Sequence, residues 1–488
     1  MWLRNRIEEP AAADVALTFA GSLAWAAIVQ VVLRPFVQNA QRRALLVALL
    51  VLAGLGYGHC YNLVNPWGAW HRHLLPVWMA TFGLLAAIVA YAPPRASGHL
   101  TAWLRNAAVI VIGWQLAGAL PLLWADLTQR DAPRKMLAAT AAPIASAGPS
   151  RSVASNPDVY YLILDGYARG DVLRAVHQFD NGEFLDALQQ RGFFVADQAQ
   201  ANYAQTRLSL PASLNMDYLP PLPATDEYEP HHTTLRVLRK RGQVLERFRR
   251  AGYRYRHVGS AHFRRAADAD EELYLGHGDG SYRKAFLETT LFGPIVGKLT
   301  GGSLDNPADV HEFQFTAIAQ RKEVDRPLFT FAHICCPHPP YVYNRHGRLP
   351  RPIGDDDANS SLYVEQLRYL NARILELIDA IDRTSGPGAA IVLQADHGSA
   401  TLGMQQSPTA EQWFERMSIF SAYRVPASTR PGLYATITPV NSFRVLFNGL
   451  LGDHWPLLPD QSHYSTYDRP FEFTDARVHA VPEAGAQE

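Results

Sequence analysis

The chain has 488 residues, more than one domain usually contains, and its composition changes about a third of the way along, so two different parts are expected. Lys plus Arg equal Asp plus Glu at 45 each, which excludes both a globally basic surface for nucleic acid and the acidic excess of a disordered chain. Only three cysteines are present, which excludes a disulfide framework.

Four apolar runs of membrane-spanning length come first: Val15 to Leu33, Ala44 to Leu63, Leu74 to Ala92 and Asn106 to Trp124. Each has almost no formal charge, so residues 1–127 are predicted to form a transmembrane helical anchor. A cleaved signal peptide would explain only the first run. Because Ser22 and Gln30 interrupt that run, three spans plus an interfacial helix are the alternative.

Positive charges indicate how this anchor is oriented. The loop from Arg34 to Arg43 and the loop from Pro93 to Arg105 are richer in arginine than the loop between them, which carries only Arg72. The positive-inside rule then puts the first and third loops in the cytoplasm and both termini outside. Basic residues that flank the bundle at each end oppose this assignment, so the orientation also leans on the family resemblance given below.

The remainder of the chain divides into a linker and a soluble part. Residues 128–156 are rich in Ala, Ser and Pro, with few side chains large enough to build a core, which predicts a linker. Residues 157–488 alternate apolar strands with helical stretches: the strands are Val159 to Leu164, Phe329 to Ile334 and Ala389 to Gln394, and one helix is Tyr363 to Ile381. This alternation predicts an α/β domain with a largely parallel central sheet between helices, whose ligands gather at the carboxyl ends of strands.

Polar residues follow each of the three predicted strands. Asp165 ends the first strand, Asp396 and His397 follow another, and His333 and His338 stand at the end of the third, beside a Pro-rich turn. Carboxylate and imidazole groups together suit zinc or manganese, with magnesium or calcium as less typical alternatives. Any one of these residues alone is more often a cap or turn residue, so the prediction of a metal site rests on their combination.

Hydroxyl side chains occur in the segment from Asn202 to Leu219, where Thr206, Ser209 and Ser213 are candidate nucleophiles. An alcohol attacks at neutral pH only when a base or a metal activates it. The structural alternative is that Thr206 caps the helix that follows. The two roles are compatible, since the N–H groups at the start of a helix would also bind an anionic phosphoryl oxygen.

These motifs resemble the sulfatase-like branch of the alkaline phosphatase superfamily: DGY at Asp165, a Thr206 that precedes a Ser-containing helix, PHPPY around His338, and DHG at Asp396. The likeness covers about Asn156 to Asp468, and its layout is similar to membrane-bound phosphoethanolamine transferases and lipoteichoic acid synthases. The resemblance implies an alkaline phosphatase-like catalytic domain anchored in a bacterial-type inner membrane and facing the periplasm or the cell exterior. It also implies that phospholipid head groups or envelope glycans are the substrates.

Carried over by position, the resemblance implies that Asp165, Asp396 and His397 bind the metal. Thr206 would be both the fourth ligand and the group that attacks phosphorus, with a phosphothreonine intermediate. Those transferases commonly have Glu where this chain has Asp165, as many hydrolases of the superfamily do. Transfer and hydrolysis therefore both stay open: the protein is a phosphoryl transferase, or it is a phosphodiesterase, phosphatase or sulfatase-like hydrolase with the same site. A non-catalytic envelope protein with a degenerate site is the third possibility.

Three further histidines are candidate substrate-binding residues. His338 lies in the segment where the transferases have a histidine that contacts substrate, and the resemblance assigns it to the phosphoryl group or the leaving oxygen. His333 and His463 are candidates for a second metal or for proton transfer, with a structural role as the alternative for each. The chain lacks the C/S-x-P-x-R signature of sulfatases, so sulfate ester cleavage is not expected. Cys335 and Cys336 are interpreted as strand or core residues.

Overall fold

The computed structural model describes residues 12–64, 71–91, 156–219, 242–260, 269–275, 306–321, 326–353 and 359–475, together with a few single positions between these ranges. The predicted linker, apart from Asn156, and the fourth predicted span, apart from Asn106, lie outside the described residues. The described N-terminal helices belong to one compact unit and the α/β elements to a second. The limits given above for anchor, linker and catalytic domain remain predictions.

Three long apolar helices form the described part of the first unit: α1 (Ala12–Leu33), α2 (Ala40–Val64) and α3 (His71–Tyr91). Each is long and apolar enough to cross a membrane. Leu45, Leu46 and Val89 are buried where the helices pack, whereas Phe19 and Val31 are 67% and 69% exposed. Apolar surface of this extent is stable against lipid rather than water. Three of the four predicted spans are thus confirmed as helices of spanning length.

The second unit alternates helices and strands. Its helices are α4 (Gly170–Ala175), α5 (Gly182–Gln190), α6 (Thr206–Asn215), α7 (Gln243–Arg250), α8 (Pro307–Ala319), α9 (Ser360–Ser385), α10 (Ala410–Met417) and α11 (Pro439–Leu451). Its strands are β1 (Val159–Leu164), β2 (Phe194–Val195), β3 (Arg254–Val258), β4 (Glu271–Leu273), β5 (Leu328–Ile334), β6 (Tyr341–Asn344), β7 (Gly347–Ile353), β8 (Ala390–Gln394), β9 (Ser421–Arg424), β10 (His463–Tyr464) and β11 (Thr474–Asp475).

A seven-stranded sheet in the order β2-β9-β8-β1-β5-β3-β4 lies at the centre of the described part of this unit. β1 is parallel to both β5 and β8, and β3 is parallel to β5 and β4. β9 runs antiparallel to β8 and to β2, so one side of the sheet is antiparallel. The prediction of a largely parallel sheet in an α/β fold is confirmed. Two short hairpin-like pairs, β6 with β7 and β10 with β11, lie outside it.

Local sequence accounts for the central elements. Every residue of β1 is buried, as expected of a strand whose two faces are both covered, and this explains why VYYLIL is apolar throughout instead of alternating. β5 and β8 begin within one residue of their predicted starts. The predicted helix Tyr363 to Ile381 lies within α9, which buries Leu367, Leu370 and Ile374. Asn359 caps α9, because its side chain accepts a 3.0 Å hydrogen bond from the Leu362 amide.

Candidate metal centre

Four predicted site residues lie together at the carboxyl ends of β1 and β8. Nε2 of His397 lies 3.3 Å from Oδ2 of Asp396 and 3.5 Å from Oδ1 of Asp165. The same nitrogen lies 3.0 Å from Oγ1 of Thr206, at the start of α6. Because β8 and β1 are adjacent parallel strands, the residues that follow them emerge at one edge of the sheet. The structure thus brings together residues that are distant in sequence.

Two glycines allow the chain to turn at these strand ends. Gly166 has a φ of +73°, a left-handed conformation that favours glycine, and its amide donates a 3.2 Å hydrogen bond to Oδ1 of Asp396. A Cβ at Gly398 would lie 2.1 Å from the Glu415 carbonyl oxygen, so a larger residue would push the loop away from α10. Both glycines therefore hold the backbone in the path that directs Asp165 and Asp396 to His397.

The unsatisfied polar atoms at this cluster fit a cation. Among the described residues, Oδ1 of Asp165 and Oδ2 of Asp396 are buried and have no hydrogen-bond partner. Nδ1 of His397 lies 3.0 Å from the Gly398 carbonyl oxygen; a carbonyl only accepts, so Nδ1 carries the hydrogen and Nε2 presents its lone pair. Two carboxylate oxygens and a nitrogen lone pair thus face one another in a buried site. These three groups repel one another unless a cation lies between them. The donor set of two oxygens and one nitrogen suits zinc or manganese.

The protonation states of the cluster also suit metal binding. Burial by itself would raise the pKa of Asp165, but the imidazoles of His338 and His333 outweigh burial and hold this pKa well below its usual range. Burial lowers the pKa of His397, and the positive charge of Arg416 lowers it further. At neutral pH an ionised carboxylate therefore faces a neutral imidazole, the forms in which both groups bind metals.

Thr206 is the first residue of α6, and Gln205, not Thr206, occupies the N-cap position, where it makes no side-chain capping bond. The structural alternative for Thr206, that it caps this helix, is therefore wrong. Ser209 and Ser213 are buried, and the Ser213 hydroxyl donates to the Ser209 carbonyl oxygen at 2.8 Å. Of the three candidate nucleophiles, Thr206 is the one whose hydroxyl lies against His397.

His338 and His333 both lie near Asp165. The His338 amide donates a 3.1 Å hydrogen bond to the Asp165 carbonyl oxygen, and its ring centroid lies 6.4 Å from that of His397. Nδ1 of His338 lies 2.6 Å from the carbonyl oxygen of Pro339; a carbonyl oxygen only accepts, so Nδ1 carries a hydrogen. His333, buried within β5, has Nε2 at 3.2 Å from Oδ2 of Asp165.

His463 lies in a different environment. It begins β10, and its ring stacks on Tyr203 at a centroid distance of 5.3 Å and contacts Phe473 at 5.6 Å. Its amide donates to the Asn202 carbonyl oxygen at 2.9 Å. These contacts attach His463 to the segment that leads into α6, so its role as a substrate-binding residue stays a prediction.

Two polar residues on α9 support the site loops, and sequence analysis did not identify either. The Tyr363 hydroxyl donates to the Gly166 carbonyl oxygen at 2.9 Å and accepts from the Ala168 amide at 3.0 Å. The Gln366 amide group donates to the His338 carbonyl oxygen at 3.1 Å. Both residues are buried on the same face as the apolar residues of the helix. The sequence did contain a signal for them, because two polar residues three positions apart interrupt an otherwise apolar helix face.

Arg416, on α10, contacts both the segment before Thr206 and the segment after His397. Nothing in its local sequence indicates this role. Arg416 is 2% exposed, and its guanidinium donates to the Ala204 carbonyl oxygen at 2.8 Å and to the Gly398 carbonyl oxygen at 3.0 Å. The Gly398 carbonyl also accepts the hydrogen bond of His397 Nδ1. Arg416 therefore orients His397 through this carbonyl and also holds the segment just before Thr206.

Arg416→Lys is expected to lower kcat/KM or metal affinity by ~10–100-fold, because a lysine has no planar fork to hold both carbonyl groups. The matched control is Arg424→Lys, since Arg424 is also buried but pairs with Asp382 at 2.6 Å. Metal titrations and steady-state kinetics of both variants check this, with thermal stability measured in parallel. Equal losses of activity in the two variants would assign Arg416 a purely structural role.

A small, partly open pocket with a cavity volume of about 10 Å³ lies beside the centre. Its lining includes His338, Tyr341, Thr401 and the backbone of Gly166 and Gly398. Two of these residues immediately follow predicted metal ligands, so a group bound in the pocket would lie next to the cluster.

The chain matches no family model and no curated protein. Solved structures similar to it include the C-terminal periplasmic domain of EcEptC from Escherichia coli in complex with Zn, at 12% identity and a TM-score of 0.46, over 70% of this chain and 96% of that one. The integral membrane lipooligosaccharide phosphoethanolamine transferase A of Neisseria meningitidis matches at 12% identity and a TM-score of 0.38, over 83% of this chain and 78% of that one. A phosphonate monoester hydrolase of Agrobacterium radiobacter matches at 14% identity and a TM-score of 0.37, over 63% of this chain and 80% of that one. The solved structures to which the chain is similar thus include phosphoethanolamine transferases, and they also include sulfatases such as BT1596.

Proposed function

We propose that the protein is a membrane-anchored, metal-dependent enzyme that transfers a phosphoryl group through Thr206. The observation that carries this proposal is the 3.0 Å contact between Oγ1 of Thr206 and Nε2 of His397, beside two buried carboxylate oxygens that lack hydrogen-bond partners among the described residues. A threonine hydroxyl reacts at neutral pH only with such activation. The same residues could serve a hydrolase, because water and an acceptor alcohol would attack the same intermediate.

Asp165, Asp396, His397 and Thr206 would hold a zinc or manganese ion, which when bound lowers the pKa of the hydroxyl and offsets charge on phosphoryl oxygens. Thr206 begins α6, so its oxygen lies at the positive end of a helix whose first-turn N–H groups can bind an anionic group. In-line attack by the deprotonated Thr206 oxygen on the phosphorus of a phosphodiester would form a P–O bond to Thr206 and break one of the two ester P–O bonds. One alcohol would leave, and the phosphoryl group on Thr206 would keep the other alcohol as its remaining ester.

In its doubly protonated form, with hydrogens on both ring nitrogens, His338 would donate the Nε2 hydrogen to the departing alcohol. It is partly buried, lines the pocket beside the cluster and is tied through its backbone to Asp165. An acceptor hydroxyl or water would then remove the phosphoryl group from Thr206. We place the catalytic unit on the periplasmic or extracellular side, where the apolar helices would keep it at the membrane surface. A phospholipid head group is then the donor, and a lipid or envelope glycan is the acceptor.

Mass spectrometry of the trapped intermediate tests this function. Full-length protein in detergent is incubated with zinc or manganese and with vesicles of phosphatidylethanolamine or phosphatidylglycerol, then quenched with acid and digested. We expect added mass on the peptide that contains Thr206, with a value that identifies the transferred group. Release of the head group is then measured with and without a soluble acceptor alcohol. Release that needs the alcohol indicates transfer, and release in water alone indicates hydrolysis. Absence of both adduct and release with either metal and either lipid would refute the proposal.

A further inference from the structure

The carboxylate of Asp165 faces two groups of residues. Its Oδ1 faces His397 at 3.5 Å, whereas its Oδ2 lies 3.2 Å from Nε2 of His333. These two oxygens point to strands on opposite sides of β1, since His397 follows β8 and His333 belongs to β5. A second group of polar atoms on the β5 side could therefore use Asp165 without displacing the first.

The pairing of β1 with β5 brings Cys335 into this second group. Ile163 is paired with His333 and Leu164 with Ile334, and the Asp165 amide continues the ladder to the Ile334 carbonyl oxygen at 3.0 Å. Asp165 and Cys335 are therefore neighbours across the ends of the two strands. Backbone register alone would place a carboxylate next to a thiol here.

The side chains of this second group carry a metal-ligand set. One ligand atom from each of Asp165, His333 and Cys335 lies within 4.8 Å of the others. Sγ of Cys335 lies 3.6 Å from Nδ1 of His333, and Oγ of Ser260 lies 3.3 Å from that nitrogen. Asp165 and His333 are buried, and Cys335 is partly exposed, which would give an ion a path from solvent. Carboxylate, imidazole and thiolate are all common zinc ligands.

We propose that Asp165, His333 and Cys335 form a second cation site, selective for thiophilic divalent ions such as zinc or cobalt, with Asp165 shared between the two sites. This inference does not depend on the reaction proposed for Thr206. Cys335 follows the end of β5 and is partly exposed, so it is not a strand or core residue, whereas Cys336, 1% exposed within the hydrophobic core, fits that interpretation. The alternative is that no metal binds and that His333 only forms hydrogen bonds with Asp165 and Cys335. The experiment below distinguishes these two arrangements.

Cobalt titration of the full-length protein in detergent, kept reduced and first stripped of metal, tests this site. Thiolate-bound cobalt absorbs strongly in the near ultraviolet, and oxygen and nitrogen ligands alone do not give this charge-transfer band. We expect two cobalt ions per chain and a strong band in the wild type. Cys335→Ser is expected to bind one ion and to lose the band, whereas the matched control Cys336→Ala keeps both ions and the band.

A third variant separates this proposal from the first site. Asp396→Ala is expected to lose one ion but to keep the thiolate band, because Asp396 belongs only to the cluster around His397. If Cys335→Ser does not fold, protection of Cys335 from alkylation by zinc in the wild type, read by peptide mass spectrometry, replaces it. A wild type without the band and without protection, or a band that persists in Cys335→Ser, would overturn the second site and leave the first untouched.

Discussion

Thr206→Ala is expected to lower kcat/KM by ~10³-fold or more, because the variant has no atom that can attack phosphorus. Three metal ligands remain, so saturating metal should still bind. Thr206 is partly exposed and its side chain makes no capping bond, so the variant should fold with little loss of stability. Thr206→Ser keeps a hydroxyl at the same position and is expected to retain a measurable fraction of the activity.

Ser209→Ala is the matched control for Thr206→Ala. Ser209 lies in the same helix, is 0% exposed, and its hydroxyl has no hydrogen-bond partner among the described residues. Removal of this hydroxyl should leave activity unchanged and should not destabilise the protein. Initial rates on a phosphodiester substrate, with thermal unfolding and metal content measured on the same samples, check the comparison. Activity in Thr206→Ala within a few-fold of the wild type would exclude the nucleophile assignment.

Asp396→Asn is expected to change the stability of the protein in opposite directions with and without metal. The wild type should gain stability on addition of zinc or manganese, because the ion binds only the folded state, and the variant should lose most of this gain. In the metal-free protein the substitution removes one of two facing charges. An amide NH₂ at this position could also donate to Nε2 of His397, where the wild type has two acceptors at 3.3 Å. We expect a gain of ~1–3 kcal/mol in the free energy of unfolding of the metal-free form.

Asp453→Asn provides the contrasting control for Asp396→Asn. Asp453 is also buried, but its carboxylate accepts hydrogen bonds of 2.6 Å and 2.7 Å from Arg247. Loss of one partner of this ion pair should destabilise the protein by ~3–5 kcal/mol with or without metal. Thermal and denaturant unfolding after chelation and after metal addition, together with metal analysis by mass spectrometry, check both variants. Equal and negligible metal in the wild type and in Asp396→Asn would favour a non-catalytic binding protein.

Sequence alone determined the elements whose burial leaves a local pattern. β1 was predicted with its observed limits, because a strand covered on both faces is apolar at every position. Asp165 and Asp396 stood out for the same reason: each is the first charged residue after a run that cannot tolerate charge. The apolar helices α1 to α3 were also apparent, because a run long and apolar enough to cross a membrane has almost no charged residue.

Only the tertiary structure decided which of these residues meet. The order β8-β1-β5 and the register of β1 with β5 place His397 and His333 on the two sides of Asp165, and no local pattern encodes strand order or register. His463 carries the same side chain as His333, yet it packs among aromatic rings.

The supporting role of Arg416 was also invisible in the sequence, because a buried arginine and an exposed one look alike until the carbonyl groups around them are known. Local sequence thus determined which segments are strands and long apolar helices, since the surroundings of a segment constrain side-chain type at each position. Long-range packing determined the site, because contacts between distant segments depend on how those elements are arranged.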